Sequence, residues 1–75
     1  MIKVNQRIRT QYGTGTIVGF ECFDKDGNEV MGTVDNGEGR ILVELDPDHT
    51  WLFKGGLYAA FRYDLENGKC EVLDQ

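Results

Sequence analysis

An all-β fold is predicted for this chain: a small barrel of five to six antiparallel strands with short turns, in a single domain over residues 1–75. Three observations predict it. Residues 12–23 read Tyr-Gly-Thr-Gly-Thr-Ile-Val-Gly-Phe-Glu-Cys-Phe, a β-branched and aromatic run punctuated by Gly13, Gly15 and Gly19. Glycine within a strand lets it coil sharply or lets another backbone come close. Asx-Gly pairs at Asp26-Gly27, Asn36-Gly37 and Asn67-Gly68 stand between alternating runs, and that pairing suits hairpin turns because both central residues take positive φ. The chain also has ten glycines, one proline and no long run of helical periodicity.

The elements follow in order. Residues 1–5 read as a lead-in strand or arm with Ile2 and Val4 on one face, and residues 7–10 alternate Arg7 and Arg9 with Ile8, as a short edge strand does. The glycine-punctuated run is the long central strand, with Thr14, Thr16, Val18, Phe20 and Cys22 assigned to one face. Residues 24–29 turn the chain into a strand over 29–35. The second Asx-Gly turn delivers it into residues 40–46, where Ile41, Val43 and Leu45 face the core, and Pro47, which cannot donate to a ladder, ends that strand. Residues 50–56 hold the dense set Trp51-Leu52-Phe53 and read equally as a short strand or a helical turn. Residues 57–65 have the clearest period-2 alternation, grouping Leu57, Ala59, Phe61, Tyr63 and Leu65, and Asn67-Gly68 then returns residues 69–73 as a last strand.

Composition narrows the function classes. A 75-residue chain buries about 60% of the surface its unfolded form exposes, so one modest core is the limit and association helps it. The net charge of −5 argues against a reader of phosphate backbones, and only Arg7, Arg9, Arg40 and Arg62 offer a local basic set. No segment approaches the roughly 18 apolar residues of a membrane span, and residues 1–7 carry no secretory signal, so a cytoplasmic location without a membrane partner is expected. Cys22 and Cys70 each lie in an apolar alternation and read as reduced thiols. The absence of serine removes serine nucleophiles, and His49, the only histidine, cannot anchor a multi-histidine metal centre.

Two metal readings are weak. Residues 24–29 look like half of a calcium loop, but Glu29 stands where the motif needs glycine and Asp35 where it needs a bidentate glutamate. Asp46, Asp48 and His49 lie close together without a second nitrogen or sulfur ligand. Neither a metal nor a cofactor is expected. The aromatic residues are more informative: Tyr12, Trp51, Phe53 and Tyr58, together with Glu21, form a candidate ligand site at one rim, able to stack on a peptide or hold a cation or small ligand. Core filling, or packing against a second copy, is the favoured reading of the same aromatics. Ile17, Met31, Leu42 and Leu73 fall on outward faces under the assigned alternation, and make a candidate self-association patch for a dimer or higher homo-oligomer.

The opening Arg7-Ile8-Arg9-Thr10, followed by Gly13-Thr14-Gly15-Thr16-Ile17-Val18-Gly19-Phe20-Glu21, resembles small SH3-like barrels of the Tudor and KOW type over roughly residues 5–46. That resemblance implies an SH3-like barrel and a binding or adaptor module, in some relatives one that contacts nucleic acid. The same opening, with Cys22 and the polar turn before Val30, is similar to the start of the type II dihydrofolate reductases carried on plasmids and integrons. This second likeness implies an oligomeric-barrel enzyme from a mobile element or integron cassette. That family's catalytic Val-Gln-Ile-Tyr has no counterpart here, so no catalytic residue carries over. The expectation is a self-associating, non-catalytic binding module, with the oligomeric enzyme and the nucleic-acid module as alternatives.

Overall fold

The computed structural model describes residues 2–47 and 56–73. It contains β1 (Arg7–Thr10), β2 (Gly13–Phe23), β3 (Glu29–Gly32), β4 (Ile41–Leu45), β5 (Leu57–Ala60), α1 (Arg62–Glu66) and β6 (Glu71–Val72). All the strands belong to one antiparallel sheet in the order β5-β4-β2-β1-β6, with β3 also paired to β2. The all-β class is as predicted. The sheet is open, however: its path ends at β5 and β6, and among the described residues no ladder joins those ends into the expected closed barrel.

β2 is the strand every other part leans on. One of its edges carries β1 along Gly13–Thr16 and then β3 along Phe20–Phe23, while the other carries β4. A methyl group on Gly15 would strike the Glu44 carbonyl oxygen of β4, so the bare backbone permits the close approach expected of a glycine in this run.

The β2–β4 ladder contains a bulge. Ile17 lies opposite Val43, but Gly19 lies opposite Leu42, which leaves Val18 as an extra residue. Side chains alternate with a period of two, so one extra residue exchanges the faces on either side of it. Before the bulge Gly15 and Ile17 point inward; after it Phe20 does. The expected inward set is therefore right at Phe20 and wrong at Thr14, Thr16 and Val18. Ile17, assigned to the outer patch, is fully buried.

The core consists of Ile8, Ile17, Phe20, Ile41, Val43, Leu45, Ala60 and Cys70, with Ile2, Val4, Tyr58, Leu65 and Val72 packed against it. Burying each large aliphatic or aromatic side chain contributes about 1.5–3 kcal/mol. Ile41, Val43 and Leu45 face inward as the alternation of residues 40–46 predicts. β1 is not an edge strand, because β6 pairs with its second side through Ile8 and Arg9.

The expected strand over residues 57–65 divides in two. β5 turns Tyr58 and Ala60 toward the core and Leu57 and Ala59 away from it, the reverse of the assigned faces. Phe61 then stands as the N-cap of α1, which buries Asp64 and leaves Phe61 and Tyr63 stacked and exposed, their ring centroids 5.5 Å apart. Asn67-Gly68 ends this helix instead of making a hairpin. Gly68, at φ 78°, lets its own N–H reach the Leu65 carbonyl (3.3 Å) and the Lys69 N–H reach that of Asp64 (2.8 Å). These are the paired bonds of a Schellman helix end, which needs a left-handed residue just as a hairpin does. The Asp24–Gly27 turn is a hairpin as predicted, although only Gly27, at φ 82°, takes positive φ and Asp26 does not. The Asp24 carboxylate accepts the Asp26 and Asn28 N–H groups, both at 2.9 Å, and β3 pairs back onto β2. β3 stops at Gly32, short of the strand expected to residue 35.

Candidate binding groove

The bulge that sends Ile17 inward also decides what faces outward. Beyond it, Gly19, Glu21 and Phe23 share the outer face of β2. The register sets Leu42 and then Ala59 beside Gly19, and Met31 beside Glu21. Gly19 has no side chain, so Met31 lies across it; a methyl group there would meet the Met31 thioether. The result is a trough of about 370 Å³, walled by Met31, Leu42, Leu57, Ala59, Val30 and the carboxylate of Glu29. Met31 on β3 and Leu57 on β5 are 58% and 44% exposed, large values for apolar side chains on one sheet face.

A second cleft of about 590 Å³ adjoins the first, and the two share Glu21 and Arg40 as their common wall. Phe23, Phe61, Asn36, Glu38 and Gly39 complete it. The shared wall is an ion pair. Arg40 Nε donates to both Glu21 carboxylate oxygens at 3.1 and 3.2 Å, its terminal nitrogen reaches Oε2 at 2.5 Å, and its backbone N–H reaches Oε1 at 3.4 Å. Glu29 Oε2 lies 3.7 Å from the same guanidinium. Arg40 in turn stands 5.8 Å from the centre of the Phe61 ring, a cation over an aromatic face.

Two carboxylates compete for one guanidinium here. Hydrogen bonding from Arg40, then from Glu29, holds Glu21 down at about 2. Glu29, bonded to the ionised Glu21 and repelled by it, is raised above its ordinary value.

The wall of the second cleft is tied down by Arg62 from α1. Its guanidinium donates to both Asp35 carboxylate oxygens at 2.5 and 3.3 Å, and its Nε to the Gly39 carbonyl at 2.8 Å. Asp35 is consequently held below its usual range, chiefly by the Arg62 bond. Gly39 packs so tightly on β2 that a methyl group would collide with the Glu21 carbonyl oxygen, so this close approach requires glycine.

The expected ligand site is not one place. Tyr12 and Tyr58 meet edge to face, with centroids 5.2 Å apart, and Tyr58 packs against the core, where burial raises its phenol. Glu21 lies on the opposite face of the sheet, in the groove. Trp51 and Phe53 fall outside the described residues. Of the self-association set, Met31 and Leu42 do come together, in the groove; Ile17 is in the core, and Leu73, whose N–H donates to the Arg7 carbonyl, sits beyond β6 at the β1 side. Sequence reasoning missed Leu57, Ala59, Phe23, Phe61 and Arg40 as groove residues. Phe61 was legible only as an aromatic, because the face it takes depends on where β5 gives way to α1.

Each of the four arginines is bound to a carboxylate: Arg7 to Asp46, Arg9 to Glu71, Arg40 to Glu21 and Arg62 to Asp35. Asp46 is thus an ion-pair partner, while Asp48 and His49 lie outside the described residues. Among the described residues no three His, Cys, Asp or Glu side chains converge on a metal position. Cys22 and Cys70 are free thiols, the first half-buried and the second buried. No described helix is long and apolar enough to cross a membrane. No family model, curated protein or solved structure matches the chain.

Proposed function

We propose that this chain is a non-catalytic binding module that receives a segment of another polypeptide along the outer sheet face, in the paired clefts flanking Glu21 and Arg40. The observation that carries the reading is the row Ala59–Leu42–Gly19 with Met31 and Leu57 standing beside it, an apolar trough on a face that has no second layer among the described residues. Burial of such side chains against a partner is favourable by about 25 cal/mol per Å² of apolar surface. Clefts of about 370 and 590 Å³ are large enough to take the side chains of a docked chain. Glu21, held at about 2, is too weak a base to accept a proton at neutral pH. The resemblance of the opening strands to small binding barrels agrees with this reading.

A displayed library of random short peptides, selected on the wild-type protein and re-tested on Met31→Glu and Leu57→Glu, tests it. Both side chains lie on the solvent-exposed face, at 58% and 44% exposure, and circular dichroism verifies that the variants keep the fold. Selected peptides lose at least about tenfold in affinity for both variants. Peptides that bind the variants as well as the wild type overturn the groove as the docking site.

A further inference from the structure

Resting on that docking site, we infer that its natural occupant is a cationic, apolar segment that places an aliphatic side chain in the trough of Met31, Leu42, Leu57 and Ala59, and a lysine or arginine in the adjoining cleft of Phe23, Phe61 and Glu38. The two clefts differ in chemistry. The first is aliphatic, with Glu29 at its margin; the second has two exposed aromatic rings and the Glu38 carboxylate. They meet at the Glu21–Arg40 pair, so neighbouring side chains of one extended segment reach both.

Charge selects the occupant. Across the two clefts Arg40 is one cation among Glu21, Glu29 and Glu38, and Glu21 takes most of its hydrogen bonds. Glu29 is left at 3.7 Å and in direct contact with a second carboxyl group. A cation from a partner relieves that crowding. The Phe61 ring already accepts a guanidinium on its face from Arg40, which is the geometry a second cation would use at Phe23. The chain's own arginines are all engaged with carboxylates, and its net charge of −5 opposes a second copy of itself in the same groove.

Three synthetic peptides, alternating leucine with lysine, with glutamine or with glutamate, are titrated into isotope-labelled full-length protein at about 0.15 M salt, where screening acts over ~8 Å. The leucine–lysine peptide is expected to move the amide signals of Phe23, Met31, Arg40, Leu57 and Phe61, and to bind at least about tenfold more tightly than the leucine–glutamine peptide. The leucine–glutamate peptide is expected not to bind. The double variant Glu29→Gln/Glu38→Gln loses about tenfold for the lysine peptide, whereas Asp24→Asn/Asp26→Asn, the same change in charge at the hairpin tip, stays within about twofold. Equal affinity for the lysine and glutamine peptides at the groove overturns the cationic occupant and leaves the docking site standing. Equal loss in the two double variants assigns the preference to the field of the whole molecule and also overturns it. Absence of groove shifts with every peptide removes the docking site itself. A dimer in light scattering with groove amides protected from exchange makes a second copy the occupant and rejects the inference.

Discussion

Ile17 and Val18 are adjacent β-branched residues on opposite faces, and the bulge between Ile17 and Gly19 makes Ile17, not Val18, the one that shares the core with Phe20. Ile17→Ala opens a cavity in the core and is expected to cost about 2–5 kcal/mol in urea denaturation. Val18→Ala, at a half-buried position, is expected to cost about 1 kcal/mol or less. The reverse ranking would place the extra residue elsewhere in β2. Arg62 gives a second test at this scale. Its partner Asp35 is 14% exposed, so Arg62→Ala strands a largely buried carboxylate and costs on the order of 1.5–3 kcal/mol. Adding Asp35→Asn recovers part of that loss, because the orphaned charge is gone; a purely additive double variant would show that the two side chains do not act as a pair.

Secondary-structure elements here are short and held by their ends. α1 has five residues, its N-cap Phe61 provides no capping side chain, and helices of this length do not persist alone. What keeps it is the Schellman end at Gly68 and the grip of Arg62 on Asp35 and Gly39. Gly68→Ala forces a methyl-bearing residue into the left-handed region and lowers the thermal midpoint by the equivalent of about 1–2 kcal/mol, with exchange protection lost first at Lys69 and Cys70, whose N–H groups both bond the Asp64 carbonyl. Protection at those two amides unchanged from wild type would mean that α1 is held from elsewhere.

For the whole molecule, acid stability follows from two opposed shifts. Glu21 and Asp35 ionise more readily when folded, so the stability they contribute is complete above their ordinary values of 4.5 and 3.8. It is lost as pH falls below them, for Glu21 down to about 2. Glu29 has the opposite sign: its folded value lies above 4.5, so its ionisation destabilises the fold as pH rises through that value, and the cost persists at neutral pH. Thermal denaturation across pH is therefore expected to give a stability maximum on the acid side of neutrality. Glu29→Gln removes the descent on its alkaline side while leaving the acid limb in place. A wild-type profile flat from pH 7 down to the onset of acid unfolding would contradict the Glu21–Glu29 contact.

The Asp24–Gly27 hairpin, the inward run Ile41-Val43-Leu45, the length of β2 and the all-β class were legible in the sequence, because each depends on residues near one another in the chain. The faces of β2 were not. Parity along a strand survives only while the ladder has no extra residue, and the bulge at Val18 is set by how β4 pairs across from it. Asn67-Gly68 was equally ambiguous, since a hairpin and a helix end ask the same left-handed backbone of glycine, and the tertiary structure settles the choice: β6 pairs with β1 instead of β5, and Arg62 ties α1 to Asp35 and Gly39. The groove shares that origin. Its aliphatic trough draws Met31, Leu42, Leu57 and Ala59 from three strands far apart in sequence, and they share a face because hydrogen-bond register between strands, a tertiary property, brings them beside Gly19.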